Sequence, residues 1–74
     1  MSYKVNVVIE RDDDGYYAWC PELPGCQTQG DSLDEVMANI REAVELYLET
    51  LPAEERSLYL RKEILTTSLE ISVA

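Results

Sequence analysis

Two cysteines and a group of aromatic residues within residues 16–30 are the side chains of this 74-residue chain best suited to chemistry or recognition. Cys20 and Cys26 are separated by five residues, which matches no zinc motif, and the chain has no histidine to complete a metal site. The two thiols could form a disulfide across the intervening turn, but we favour two reduced thiols, as is usual in a cytosolic chain. We therefore expect neither a metal nor a cofactor.

The same stretch contains an aromatic strand followed by a proline turn over residues 21–25. Tyr17 and Trp19 share one face of that strand, because successive side chains alternate between the two faces. One face should pack under a helix, which leaves the other face free for a partner. The aromatic residues and Leu23 are therefore either core residues or anchors of an interface. We predict that Tyr17, Trp19, Glu22 and Leu23 bind a partner.

The charge balance restricts the kind of partner. Fifteen acidic residues against six basic ones give a formal net charge of -9. Nucleic acid is disfavoured as a direct ligand because phosphate requires a basic surface. A basic protein fits better, and solubility alone is the competing explanation. The acidic run over residues 12–14 is interpreted as a solvated hairpin tip rather than a cation site.

Alternating apolar residues predict that the first strand covers residues 3–10. The dipeptide Asp14-Gly15 predicts a hairpin to a second strand over residues 16–20. A third strand is expected at residues 26–29, after the proline turn. The first strand should be central, because Val8 adds an apolar residue to its second face.

A long amphipathic helix is the strongest pattern in the chain. Ser32 and Glu35 form a capping box at its start, and apolar residues then follow helical spacing as far as Leu51. Pro52 ends this helix, because proline pushes the preceding residue out of the helical region. Residues 52–62 form a polar connection with room for a short second helical turn.

Residues 64–73 alternate again and predict a fourth strand, parallel to the first and beside it. The predicted fold is therefore α+β, with βββαβ order and one long helix on one face of a small mixed sheet. A single domain over residues 1–74 has a small core, which favours a homo-oligomer, either a dimer or a tetramer. The N-terminal residues contain no apolar run of signal or membrane-span length, so we expect a cytoplasmic protein that does not engage a membrane.

These elements, in this order and spacing, closely resemble the HicB antitoxins of bacterial and archaeal toxin–antitoxin pairs. The resemblance covers nearly the whole chain. It is carried by four segments: the aromatic strand 16–19, the turn Pro21-Glu22-Leu23-Pro24-Gly25-Cys26, the step Thr28-Gln29-Gly30-Asp31, and the helix from Leu33 onward.

The resemblance implies a partial ribonuclease-H-like fold that binds and neutralises HicA, a small basic RNA-cleaving toxin. Many members also carry a C-terminal DNA-binding domain, whereas this sequence stops at Ala74, directly after the predicted fourth strand. The resemblance therefore does not predict direct binding to an operator.

The alternative is a stand-alone oligomeric adaptor or a degenerate nuclease. A ribonuclease-H-like site would hold two metal ions with carboxylates, here Glu10, Glu35 or Glu42, and Glu70. The pattern requires no convergence of these residues, and Glu35 is already explained by capping. We therefore expect no enzymatic activity.

Overall fold

The computed structural model describes residues 2–74 as three strands followed by two helices. The α+β architecture predicted from the sequence is confirmed. The elements in chain order are β1 (Val8–Asp12), β2 (Gly15–Trp19), β3 (Gln27–Gly30), α1 (Leu33–Glu49) and α2 (Ala53–Tyr59).

The three strands form one antiparallel sheet in the order β1-β2-β3. The predicted hairpin joins the first two strands. Gly15 has φ of 134°, a value that L side chains rarely adopt. The backbone N–H of Asp14 donates to Oδ1 of Asp12 at 2.8 Å, which tightens the turn. The hairpin is therefore as predicted, but its two turn residues are Asp13 and Asp14, and Gly15 is the first residue of β2, paired with Asp12.

Helix α1 begins where the capping pattern placed it. The backbone N–H of Glu35 donates to Oγ of Ser32 at 3.1 Å, so the N-cap satisfies one of the helix's free amides. The helix ends at Glu49, two residues before the last position of the apolar stripe. Its buried residues are Val36, Ile40 and Val44.

The predicted second helical turn is a two-turn helix, α2, which begins directly after Pro52. Arg56 fixes it to the end of α1, because its Nε donates to the carbonyl oxygens of Leu48 at 2.7 Å and Leu51 at 3.1 Å. A C-terminal cation also suits the negative end of the α1 dipole. The rings of Tyr47 and Tyr59 meet edge to face, with centroids 6.4 Å apart.

The core lies between α1 and one face of the sheet. Its fully buried apolar residues come from β2, the proline turn and α1: Ala18, Cys20, Leu23, Cys26, Val36, Ile40 and Val44. Gly30 allows β3 to approach the helix closely. A Cβ added at Gly30 would lie 2.7 Å from the backbone nitrogen of Val36, so any side chain there would displace α1.

The predicted fourth strand and the mixed sheet are wrong for the single chain. No strand is assigned after α2 in the described residues, and residues 65–74 are exposed. The predicted first strand starts at Val8 rather than Tyr3, and β1 lies at an edge rather than at the centre of the sheet. A strand requires a hydrogen-bonded neighbouring strand, and the sheet found in the described residues consists of β1, β2 and β3.

Candidate functional site

The two faces of β2 have different environments. Ala18 is fully buried and Tyr16 packs against the core, so these residues face α1. Tyr17 and Trp19 point to the opposite side of the sheet and are half-buried. The aromatic pair therefore lies on the face that the helix does not cover, and its role as an interface anchor stays a prediction.

We call this surface the outer face and define it by the side chains that the strand register places beside the aromatic pair. Trp19 is paired with Val8 on β1 and Gln27 on β3, whereas Tyr17 is paired with Glu10 and Gln29. Directly paired residues on antiparallel strands lie on the same side of the sheet. The outer face therefore has an aromatic centre with polar and acidic neighbours.

Two contacts hold the aromatic pair in place. The ring centroids of Tyr17 and Trp19 are 5.5 Å apart and the planes are tilted by 37°. The hydroxyl of Tyr17 donates to Oε1 of Gln27 at 2.7 Å. Side chains that are fixed before binding lose little conformational entropy on contact with a partner, which is a property of interface anchors.

Carboxylates surround one end of the outer face. An open groove there contains Tyr17 and Gln29, and five acidic residues line it: Glu10, Asp12, Asp14, Asp31 and Glu35. They come from the β1–β2 hairpin, the loop before α1 and the first turn of α1. The fold thus places five of the chain's fifteen acidic residues around a groove that Tyr17 also lines. Cationic groups are the chemical complement of this surface.

The other two residues predicted to bind a partner lie inside the protein. Leu23 is 1% exposed and Glu22 is 2% exposed. Oε2 of Glu22 accepts from the backbone N–H of Asn6 at 3.0 Å and from Nδ2 of Asn6 at 2.9 Å. The Cys20 thiol donates to Oε1 of Glu22 at 3.7 Å. Both residues belong to the proline turn and present almost no surface to a partner, and partner contact by Tyr17 and Trp19 stays a prediction.

Glu10, Gln27 and Gln29 are neighbours of the aromatic pair that the sequence reasoning missed. The two glutamines of β3 are two residues apart and so lie on the same face of the strand. The hairpin register places Glu10 opposite Tyr17. The predicted turn was out by one residue: the turn residues are Asp13 and Asp14, which pairs Glu10 with Tyr17, whereas a two-residue turn at Asp14-Gly15 would have paired Glu10 with Trp19.

Both cysteines are free, and both are buried in the turn that separates β2 from β3. The backbone N–H of Cys20 donates to the carbonyl oxygen of Cys26 at 3.0 Å. Burial, together with the nearby Glu22 carboxylate, raises the pKa of the Cys20 thiol from 9.0 to about 11. Burial also raises the pKa of Cys26. These are protonated packing groups at neutral pH rather than nucleophiles.

Raising the pH above 9 is expected to destabilise the fold through Cys20. The unfolded thiol ionises near 9.0, whereas the folded thiol, with its pKa of about 11, keeps its proton. Stability is therefore full below pH 9 and falls by about 2 to 3 kcal/mol as the pH rises through the folded pKa. Urea unfolding at pH 8 and at pH 11 measures this loss, which should be smaller in Cys20→Ala. An equal loss in both proteins would contradict it. The stability of the variant still falls somewhat with rising pH, because the pKa values of Cys26 and Tyr47 are also raised.

The carboxylates considered for a nuclease site do not assemble into a metal centre. Glu10 and Glu35 line the acidic groove, whereas Glu70 is exposed in the C-terminal segment. Across residues 2–74, no group of three or more acidic or cysteine side chains is placed to hold a metal ion. The described residues also include no helix that is long and apolar enough to cross a membrane.

The family of the chain follows from its sequence match. The family model described as the HicB-like antitoxin of bacterial toxin–antitoxin systems matches residues 4–70. The chain therefore belongs to the HicB-like antitoxins, and this membership indicates a non-enzymatic role.

Similar proteins occur in both bacteria and archaea. The chain is 44% identical to a UPF0150 protein of Helicobacter pylori, over 95% of this chain and 97% of the relative. It is 42% identical to a UPF0150 protein of Synechocystis, over 96% and 90% of the two chains. A UPF0150 protein of Archaeoglobus fulgidus is 60% identical over 62% of this chain and 68% of the relative. No solved structure matches the chain significantly.

Proposed function

We propose that this protein neutralises a small basic RNA-cleaving toxin of the HicA type by binding it directly through the outer face. The observation that carries the proposal is the contact between Tyr17 and Trp19 on the uncovered side of the sheet, next to a carboxylate-lined groove at the hairpin end of the sheet that Tyr17 also lines. Membership of an antitoxin family supports a toxin as the partner.

The chemistry of the surface suggests how binding would inhibit such a toxin. A protein that cleaves RNA must attract phosphates with Lys and Arg side chains. The carboxylates of the groove present the same charge as those phosphates and compete for the same cations. Trp19 and Tyr17 supply the apolar anchor that a purely electrostatic contact lacks.

The proposal includes the setting in which the protein acts. Residues 1–74 form one antitoxin domain that works in the cytoplasm, where its toxin would meet RNA, and it assembles as a homo-oligomer. The net charge of -9 supports a basic protein rather than nucleic acid as the ligand.

Trp19→Ala is expected to weaken binding to the toxin encoded beside this protein by at least about 30-fold, the effect of losing a central aromatic anchor. Titration calorimetry with the purified, catalytically inactive toxin measures the affinity. Co-expression with the active toxin measures protection of growth. Wild type should restore growth, and Trp19→Ala should restore less.

Leu58→Ala is the matched control, because Leu58 is an apolar residue of α2 that is 58% exposed and lies outside the outer face. It should bind as wild type does. A folded wild-type sample that failed to bind its neighbouring toxin would reject the proposal. Magnesium-dependent RNA cleavage that was abolished by Glu70→Ala would favour the degenerate nuclease instead.

A further inference from the structure

The C-terminal segment, residues 64–73, has the pattern of a strand but no partner strand in its own chain. Its apolar residues alternate with polar ones, a period that predicts a half-buried strand. These side chains are nevertheless almost fully exposed: Leu65 is 82%, Leu69 79%, Ile71 71% and Val73 90% exposed. Four large apolar side chains in one exposed row indicate a surface that becomes covered.

A groove elsewhere on the molecule has the complementary form. The N-terminal segment forms one wall of the groove through Val5 and Val7, and α1 forms the other through Met37, Val44 and Leu48. The charged residues that line it are Lys4, Arg41 and Glu45, which leaves a balance of one positive charge. The C-terminal segment carries one charge, that of Glu70. The apolar lining and the charge balance therefore suit a strand of this composition.

The groove borders an open sheet edge. Strand β1 pairs only with β2, so its other edge presents unpaired backbone groups. Val5, Val7 and Ile9 all pack against the core, a period of two that continues the extended chain before β1. A strand placed here would pair with that edge and lay its apolar side chains on the groove.

The chain's own C-terminal segment does not occupy this place. The radius of gyration is 14.5 Å, whereas a compact chain of this length has about 11 Å. The molecule measures 49 × 28 × 18 Å, which is the shape of a small body with an extended arm. Every chain thus carries one segment with a strand pattern but no neighbouring strand, and an open edge at β1 beside the groove that could receive it.

We propose that residues 64–73 of one copy form the fourth strand of a second copy, along the open edge of β1 and over its groove, and that the exchange is reciprocal. A two-fold axis then fills both grooves with identical contacts and closes the assembly as a dimer. The exchange buries the exposed apolar row and removes an open sheet edge from each copy. This inference specifies the homo-oligomer within the proposed function and leaves the outer face free.

The first test is the mass of the full-length protein in solution, measured by light scattering after gel filtration. Wild type should have twice the 8.4 kDa of one chain. Leu69→Lys places a charge in the apolar row and should yield the single-chain mass. Ser68→Lys adds the same charge on the other side of the strand and should remain dimeric. Circular dichroism should show the same fold in all three, because residues 68 and 69 are exposed in the single chain.

The second test distinguishes exchange from any other dimer. Met37→Lys damages the groove at a side chain that is 45% exposed, and it should also yield single chains. A mixture of Leu69→Lys and Met37→Lys should form heterodimers, visible by native mass spectrometry. In that pair, the intact C-terminal segment of the Met37→Lys chain enters the intact groove of the Leu69→Lys chain.

A wild-type protein that has the single-chain mass at every concentration tested would overturn the inference. So would a dimer that Leu69→Lys leaves intact, or a mixture of the two variants that forms no heterodimer. Toxin binding is read separately through Trp19, so either proposal can fail while the other survives.

Discussion

Replacing Glu22 with alanine is expected to destabilise the fold by about 3 kcal/mol, close to the largest effect of any single truncation here. The carboxylate is 2% exposed and accepts two hydrogen bonds from Asn6, at 3.0 and 2.9 Å, and one from the Cys20 thiol. Its removal leaves the buried Cys20 thiol and the partly buried donors of Asn6 without this acceptor, and it opens a cavity beneath the proline turn. Asn6 would also lose its hydrogen bonds to Glu22. The N-terminal segment, which lines the apolar groove, would then be held less firmly.

Urea unfolding followed by circular dichroism measures this loss, and the melting temperature should fall by roughly 12 to 24 °C. Glu42→Ala is the matched control, because Glu42 is an exposed glutamate of α1 and its truncation should change stability by less than about 0.5 kcal/mol. If Glu22→Ala were as stable as Glu42→Ala, the buried carboxylate would not be a structural group.

Truncating Ile40 to alanine should cost about 2 to 5 kcal/mol. Ile40 is 1% exposed at the centre of α1 and packs within the core that also contains Ala18 and Val36. The loss combines the transfer energy of the missing methyl and methylene groups with the cavity they leave. In a domain of this size, such a loss approaches the whole free energy of folding.

Leu46→Ala in the same helix separates packing from helix propensity. Leu46 is 56% exposed, so its truncation should cost less than about 1 kcal/mol in the same urea titration. A loss at Ile40 no greater than that at Leu46 would show that α1 does not form the centre of the core.

The two proposed interfaces lie on different parts of the molecule. The outer face is on the side of the sheet away from α1. The apolar groove, into which the C-terminal segment of a second copy would fit, lies between α1 and the N-terminal segment. An exchanged dimer would therefore present two outer faces and could hold two toxins at once. Because the chain is small, the dimer contact would also supply burial that the single core lacks.

Local features of the fold could be predicted from the sequence, because they depend on neighbouring residues. Gly15 forces the hairpin by its positive φ, and Ser32 caps α1 with its own side chain. Pro52 separates the two helices. The apolar stripe of α1 contained the buried residues Val36, Ile40 and Val44, although Leu33 and Met37 of the same stripe are exposed.

Long-range contacts decided which residues of the 16–30 stretch are buried and which stay on the surface. Glutamate is rarely buried, so no local signal revealed that Glu22 lies inside and binds Asn6, sixteen residues away. Alternation showed that Tyr17 and Trp19 share a face, but only the packing of α1 showed which face stays open. The pattern of residues 64–73 is that of a strand, yet a strand exists only where another chain segment offers its hydrogen bonds, and that pairing is a property of tertiary and quaternary structure.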